Sequence, residues 1–201
     1  MAILIKNHCQ LRAKHIKEAQ KKFSNNNSLH IKNMINPHVR VALKNYLEKI
    51  QSEGFLRFGD FQSFNRYWAH NETVNRYVQA QLSEYISEIV KEIWVPAFSY
   101  YVCYREGSSL KKHLDRSQAS LSLSLLIEYG NKEEYLADQW PIYIEKEVGS
   151  DTYNEMHIGK GNAGLFMGNE FVHYRLPIAK DHYSMSMLFH FVPTIFAGKI
   201  L

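Results

Sequence analysis

The sequence predicts an α+β protein, with helices first and an antiparallel β sandwich or barrel after them. Two observations carry this. Through most of residues 9–93, apolar side chains recur at i, i+3 and i+4. Beyond Phe98 the period drops to two, most plainly where Ser120, Ser122 and Ser124 alternate with Leu121, Leu123 and Leu125. A helical block followed by many short strands is the pattern of an α+β architecture, not of alternating βαβ units. At 201 residues the chain suits one well-cored domain, with 1–96 as mainly helical support and 97–195 as the β core.

The elements follow in order. Leu11, Ile16, Ala19 and Phe23 mark a helix over 9–23 that should stop in the turn-rich Asn25–Ser28. Asn36-Pro37 offers an N-cap and a first-turn proline to a second helix, whose stripe of Val39, Leu43, Tyr46, Leu47 and Ile50 ends near Gly54. Phe61, Phe64 and Trp68 suggest a short amphipathic turn. Asn71 can cap the longest helix, in which Val74, Val78, Leu82, Ile86, Ile89 and Ile93 keep helical spacing until Pro96. Such a stripe is core packing, and its use is to cover one face of a sheet. Strands are expected at 98–105, 120–129, 140–146, 153–158, 163–168 and 182–192, with the odd-numbered face of 121–129 running through Ile127 to Tyr129.

Bulk properties narrow the class. The apolar start MAILI is broken by Lys6, and no uncharged apolar run reaches membrane-spanning length. Cys9 and Cys103 do not make a disulfide framework. A cytoplasmic protein without a membrane segment is expected. The net charge of +4 is uneven, since residues 1–50 carry +8 and the other 151 carry −4. A basic arm can bind nucleic acid, but no aromatic or glycine pattern of a nucleic-acid module accompanies it, and a solvated helix face accounts for the charge. Nucleic acid is therefore not the expected partner. Oligomeric state is not legible.

The chemistry is concentrated in YREGSSLKKHLDRSQASLSLSLLIEY, residues 104–129. On an extended chain His113 and Asp115 project from one face. They make two thirds of a two-histidine, one-carboxylate site, which holds non-haem Fe(II) and leaves adjacent positions open. His173 follows the strand and turn of GNAGLFMGNEFVHYRLP and supplies a candidate third ligand. Of the other histidines, His70 and His190 read as structural.

His-x-Asp, a β pattern, a glycine-rich turn, a histidine and a terminal strand together resemble the Fe(II)/2-oxoglutarate-dependent dioxygenases, whose core is a double-stranded β-helix (jelly roll). The resemblance covers about residues 98–195 and is nearest to the prolyl-hydroxylase type. Cys103-Tyr104-Arg105-Glu106-Gly107 repeats that type's Cys-Tyr-x-x-Gly, and Tyr129-Gly130-Asn131 repeats a tyrosine followed by a short Asn-containing turn. The resemblance implies Fe(II) on His113, Asp115 and His173, with 2-oxoglutarate and O2 as cosubstrates. It also implies Tyr104 near the chelating end of 2-oxoglutarate and Tyr129 near its distal carboxylate. The family's arginine or lysine on the last strand is missing: His182 stands there, with Ser184 kept two residues on. A buried carboxylate needs a cation or several donors, so Arg175, which shares parity with His173, is the natural substitute. Lys180 is a weaker one.

The implied reaction decarboxylates 2-oxoglutarate to succinate and CO2 while hydroxylating a C–H bond. Asp115 favours hydroxylation over halogenation, which needs the carboxylate position vacated for chloride. Desaturation or ring closure would use the same iron site. The substrate is a small molecule or a peptidyl residue, and Arg105, Lys111, Lys112 and Arg116 hint at an anionic group on it. The loop 130–139 (Glu133, Glu134, Asp138) and the polar segment 146–160 are candidate lids. Two other readings compete: a cupin-type metal enzyme that does not use 2-oxoglutarate, and a non-catalytic β-sandwich binding module with a basic helical arm.

Overall fold

A computed structural model describes residues 9–130 and 140–200, so the candidate lid residues Glu133, Glu134 and Asp138 lie outside the described residues. Helix α1 spans Cys9–Asn26 and runs through the asparagines expected to stop it. The chain then turns at Asn27, which takes a left-handed conformation (φ 51°), and enters an unforeseen strand, β1 (Ser28–Ile31). Helix α2 (Pro37–Ser52) starts where the sequence indicates. The Asn36 side chain accepts from the His38 amide at 2.8 Å, and Pro37 fills a first-turn position whose N–H would have had no partner.

Phe61, Phe64 and Trp68 do not share a helical turn. Trp68 lies on β3 (Arg66–His70), which pairs with β2 (Arg57–Phe58), while Phe61 and Phe64 are exposed. Helix α3 (Thr73–Val90) is capped by Glu72 and not by Asn71; the Glu72 carboxylate accepts from the Val74 and Asn75 amides. Asn71 instead accepts from the Ser99 amide. Leu82, Ile86 and Ile89 are completely buried, and each such side chain contributes about 1.5–3 kcal/mol. Ile93 lies past the helix end, at Lys91, and is exposed.

From residue 94 the chain is β structure. Strands β4 (Trp94–Tyr104), β5 (Leu110–His113), β6 (Leu121–Gly130), β7 (Ile142–Glu145), β8 (Tyr153–Met156), β9 (Ala163–Phe166), β10 (His173–Arg175) and β11 (Tyr183–Pro193) form two antiparallel sheets. Pro96 falls inside β4 and does not precede it. It is tolerated because β3 pairs only with residues 100–104, and the β4–β11 register slips where Pro96 meets Phe191. The larger sheet has the order β1-β9-β6-β11-β4-β3-β2, and the smaller β5-β10-β7-β8. The first 96 residues thus add strands to both edges of the larger sheet as well as helices.

The core divides along the two faces of the larger sheet. On one face Leu121, Leu123, Leu125, Met187 and Phe189 meet Leu82 and Ile86 of α3. On the other, Val102, Tyr104, Leu126 and Tyr129 meet Ile142 and Ile144 of the smaller sheet. A β-bulge changes the face of Tyr129. Leu126 pairs with Ser186 but Glu128 pairs with Met185, leaving Ile127 extra. Ile127 stays on the helix side and Tyr129 moves to the inter-sheet side, so the odd-numbered face does not continue to Tyr129. Arg40 of α2 holds the bulge, donating to the Ile127 carbonyl at 2.9 Å and to Glu128 at 3.2 Å.

Candidate active site

Between the sheets lies a cavity of about 510 Å³, within the range of small-molecule sites. Antiparallel pairing of β5 with β10 sets His113 directly opposite His173, with ring centroids 4.3 Å apart. Asp115 follows β5 and is tied to the turn after β9 by its amide, which donates to the Gly168 carbonyl at 2.8 Å. Asp115 Oδ1 then stands 3.6 Å from His113 Nε2 and 3.7 Å from His173 Nε2. The three atoms lie within 4.8 Å of one another.

The remaining polar atoms of the three side chains are already engaged. His113 Nδ1 meets the Lys111 carbonyl at 2.8 Å, and His173 Nδ1 meets the Phe171 carbonyl at 3.1 Å. Carbonyls only accept, so both Nδ1 atoms carry the proton and both Nε2 atoms present a lone pair. Asp115 Oδ2 accepts from Ser122 Oγ at 2.6 Å. Burial would raise the Asp115 pKa, but His113, His173, His190 and the Ser122 hydroxyl outweigh it and hold the carboxyl well below the usual range. Burial, partly offset by Asp115, lowers the His173 pKa. Burial acts the same way on the more exposed His113, where contact with Asp115 prevails and raises it. An ionised carboxylate with two imidazole lone pairs and open space on the cavity side fits a divalent metal of the non-haem iron type.

Gly168 makes room for this arrangement. A β-carbon there would collide with Asp115 Oδ2 and Ser122 Oγ, so the requirement is close approach and not backbone conformation.

Of the expected cosubstrate residues, Tyr104 and Arg175 line the cavity with the three ligands, while Tyr129, His182 and Ser184 do not. Arg175 Nη1 donates to the Trp140 carbonyl, its guanidinium lies 4.6 Å from the Trp140 ring, and it has no carboxylate partner among the described residues. Burial pushes its pKa down to about 10, the mark of a cation short of counter-charge. Tyr104 Oη accepts from Arg66 Nη1 at 3.1 Å. The Tyr129 and His182 rings are tilted by 33° with centroids 5.7 Å apart, and Tyr129 Oη and His182 Nε2 are buried with no hydrogen-bond partner among the described residues. Lys180 is exposed. Of the four basic residues noted near the metal motif, only Arg116 borders the cavity. Lys112 pairs with Asp151, and Arg105 covers Tyr67 and Tyr183.

Three residues that line the site were not expected there, His190 having been read as structural. Arg66 on β3 is buried, lines the cavity and is neutralised by Asp60 at 2.6 Å. Ser122 and His190 face each other across β6 and β11. The available signal was the polar row on the even positions of two otherwise apolar strands, Ser122 and Ser124 with Ser184, Ser186 and His190. His190 is buried, which pushes its pKa down to about 4.

By sequence, no protein-family model and no curated protein matches the chain. Solved structures do. A prolyl-4-hydroxylase of Pseudomonas putida superposes with a TM-score of 0.65 at 14% identity, covering 87% of this chain and 98% of that one. SnoN, a non-haem α-ketoglutarate-dependent epimerase from nogalamycin biosynthesis, gives 0.73 at 7% identity over 90% and 83%. HygX of Streptomyces hygroscopicus, solved with nickel, 2-oxoglutarate and hygromycin B, gives 0.67 at 12% identity over 90% and 88%. Over nearly its whole length, the chain is folded like the Fe(II)/2-oxoglutarate-dependent oxygenases.

Proposed function

We propose that the protein is a non-haem Fe(II)- and 2-oxoglutarate-dependent oxygenase that hydroxylates an unactivated C–H bond of a small molecule or a peptidyl residue. The observation that carries this reading is the convergence of His113 Nε2, Asp115 Oδ1 and His173 Nε2 at the wall of a cavity between the sheets. Eight strands from β4 to β11, divided four and four between the sheets in the orders β9-β6-β11-β4 and β5-β10-β7-β8, support a double-stranded β-helix as the frame. Residues 1–96 and 97–195 would form one domain, since both edges of the larger sheet come from the first part.

His113, Asp115 and His173 would hold the iron. Once bound, Fe(II) with 2-oxoglutarate and O2 supplies the oxidising power, releasing succinate and CO2. The chain's part is positioning. Arg175 is our assignment for the distal carboxylate of 2-oxoglutarate, because it is a half-buried guanidinium lining the cavity without a carboxylate of its own among the described residues. Tyr104 lies beside it and would orient the cosubstrate through its hydroxyl. The buried Tyr129 Oη, without a partner among the described residues, offers a second donor, whereas His182, whose Nδ1 donates to the Lys180 carbonyl at 2.7 Å, presents only a lone pair at Nε2. Trp68, Phe98, Tyr100 and Phe166 wall the cavity and exclude water from the C–H bond being oxidised. The cavity's size suits a small molecule or one side chain of a peptide.

Anaerobic addition of Fe(II) and 2-oxoglutarate to the purified protein tests the reading. A weak visible charge-transfer band is expected, absent in His173→Ala. No band and no retained metal in the wild type would overturn it.

A further inference from the structure

Behind the three converging atoms runs a second set of contacts that the proposed chemistry does not use. Asp115 turns Oδ1 to both histidines and Oδ2 to Ser122. Ser122 is buried on β6, directly opposite His190 on β11, and its Oγ stands 2.9 Å from His190 Nδ1. The direction of each hydrogen bond follows from what the atoms can do. An ionised carboxylate only accepts, so the Ser122 proton points to Oδ2, and the serine oxygen accepts from His190 Nδ1. That assigns the His190 tautomer, with Nδ1 protonated and Nε2 bearing a lone pair. His190 borders the cavity, and its Nε2 has no hydrogen-bond partner among the described residues.

Each member of this chain is needed for direction. Left alone, the Ser122 hydroxyl has a second, longer acceptor in the Ala119 carbonyl at 3.5 Å. The Nδ1–H of His190 occupies the other side of the oxygen and aims its proton at Asp115. Gly168 supplies the space, since a β-carbon there would strike both Oδ2 and Ser122 Oγ.

We propose that Ser122 and His190 are positioning residues, a relay from His190 through Ser122 to Asp115 that holds the carboxylate with Oδ1 toward the metal point and so sets how tightly metal is held. The inference rests on the metal site proposed above. Groups that orient a metal ligand from behind are worth about 10–100-fold in affinity.

Ni(II) is a suitable probe because it needs no protection from air, and its affinity can be read by competition titration of the full chain. Ser122→Ala should weaken Ni(II) binding about 10–100-fold, while Ser122→Thr, which keeps the hydroxyl, should stay within about threefold of wild type. His190→Phe should weaken it about fivefold, and His190→Asn, whose amide N–H can replace Nδ1–H, should recover most of that loss. Because His190 acts through Ser122, the double variant S122A/H190F should bind no more weakly than S122A alone. A cooperative apo-protein melting transition for each variant, lowered in Ser122→Ala by the unpaired Asp115 Oδ2 and His190 Nδ1 but well above the titration temperature, separates these effects from misfolding. Wild-type affinity in S122A, equal weakening by Ala and Thr, or additive losses in the double variant would each overturn the relay. A wild-type protein that binds Ni(II) no better than His173→Ala would overturn the metal site itself, a different result from an S122A protein that binds normally.

Discussion

Gly168 and Asp115 hold each other twice. The Asp115 amide donates to the Gly168 carbonyl at 2.8 Å, and the missing side chain of Gly168 is the space that Asp115 Oδ2 occupies. One residue of the turn after β9 therefore fixes both the height and the rotation of the only carboxylate among the three converging groups.

Gly168→Ala is expected to cost metal more than stability. The added methyl must displace the Asp115 carboxylate, since the other neighbours are the buried Ser122 and the Ala119 backbone. Fe(II) affinity should fall at least about tenfold, with a melting temperature near that of wild type. A variant that binds metal normally would show that the turn yields and Asp115 does not depend on it.

Arg175→Ala should raise the concentration of 2-oxoglutarate needed for half-maximal succinate release roughly 30-fold or more, as expected when a desolvated charge pair worth at least about 2 kcal/mol is lost. Lys180→Ala and His182→Ala should change it less than about threefold. Equal effects from all three would remove Arg175 from the role.

How legible this was in the sequence depended on whether local rules or pairing decided each feature. His113, Asp115 and His173 were visible because their spacing and the surrounding strand pattern belong to the chain itself. The helices α2 and α3 were visible because a 3.6-residue stripe is local. Strands β1 and β3 were not, since β1 at one edge and β3 next to the other are each made by pairing with a distant partner, β9 and β4. Tyr129 was placed on the wrong face because a single extra residue at Ile127 reverses parity, and a bulge is set by the partner strand and by Arg40 from another helix. His190 was read as a structural histidine. Its link to Ser122 spans 68 positions and exists only through the β6–β11 register.

The bulge makes a stability prediction. Arg40 donates to Glu128 and to the Ile127 carbonyl, and Lys160 adds a second cation to the same buried carboxylate. Arg40→Met removes two charge-assisted hydrogen bonds but leaves Glu128 paired with Lys160. The loss should be about 2 kcal/mol in urea unfolding, below the cost of stranding a buried charge. A loss under about 0.5 kcal/mol would mean that the β6–β11 register holds the bulge unaided.

Cys103 gives an alkaline prediction. It is buried on β4, and burial, opposed in part by Arg105, pushes its thiol up to about 11, against about 8.5 in an unfolded chain. A raised folded-state pKa means that the unfolded chain sheds its proton first as pH rises. The stability contributed is complete below about pH 8 and is lost between roughly pH 8.5 and 11. At the top of that window the loss should reach roughly 2–3 kcal/mol, and Cys103→Ala should flatten the pH dependence by that amount while costing some packing at all pH values. Thiol labelling checks the same point independently. In a Cys9→Ser background no thiol should react with an aromatic disulfide at pH 8 until denaturant is added. Prompt labelling of the native protein would show that Cys103 is reached by solvent, and the alkaline prediction would fall with it.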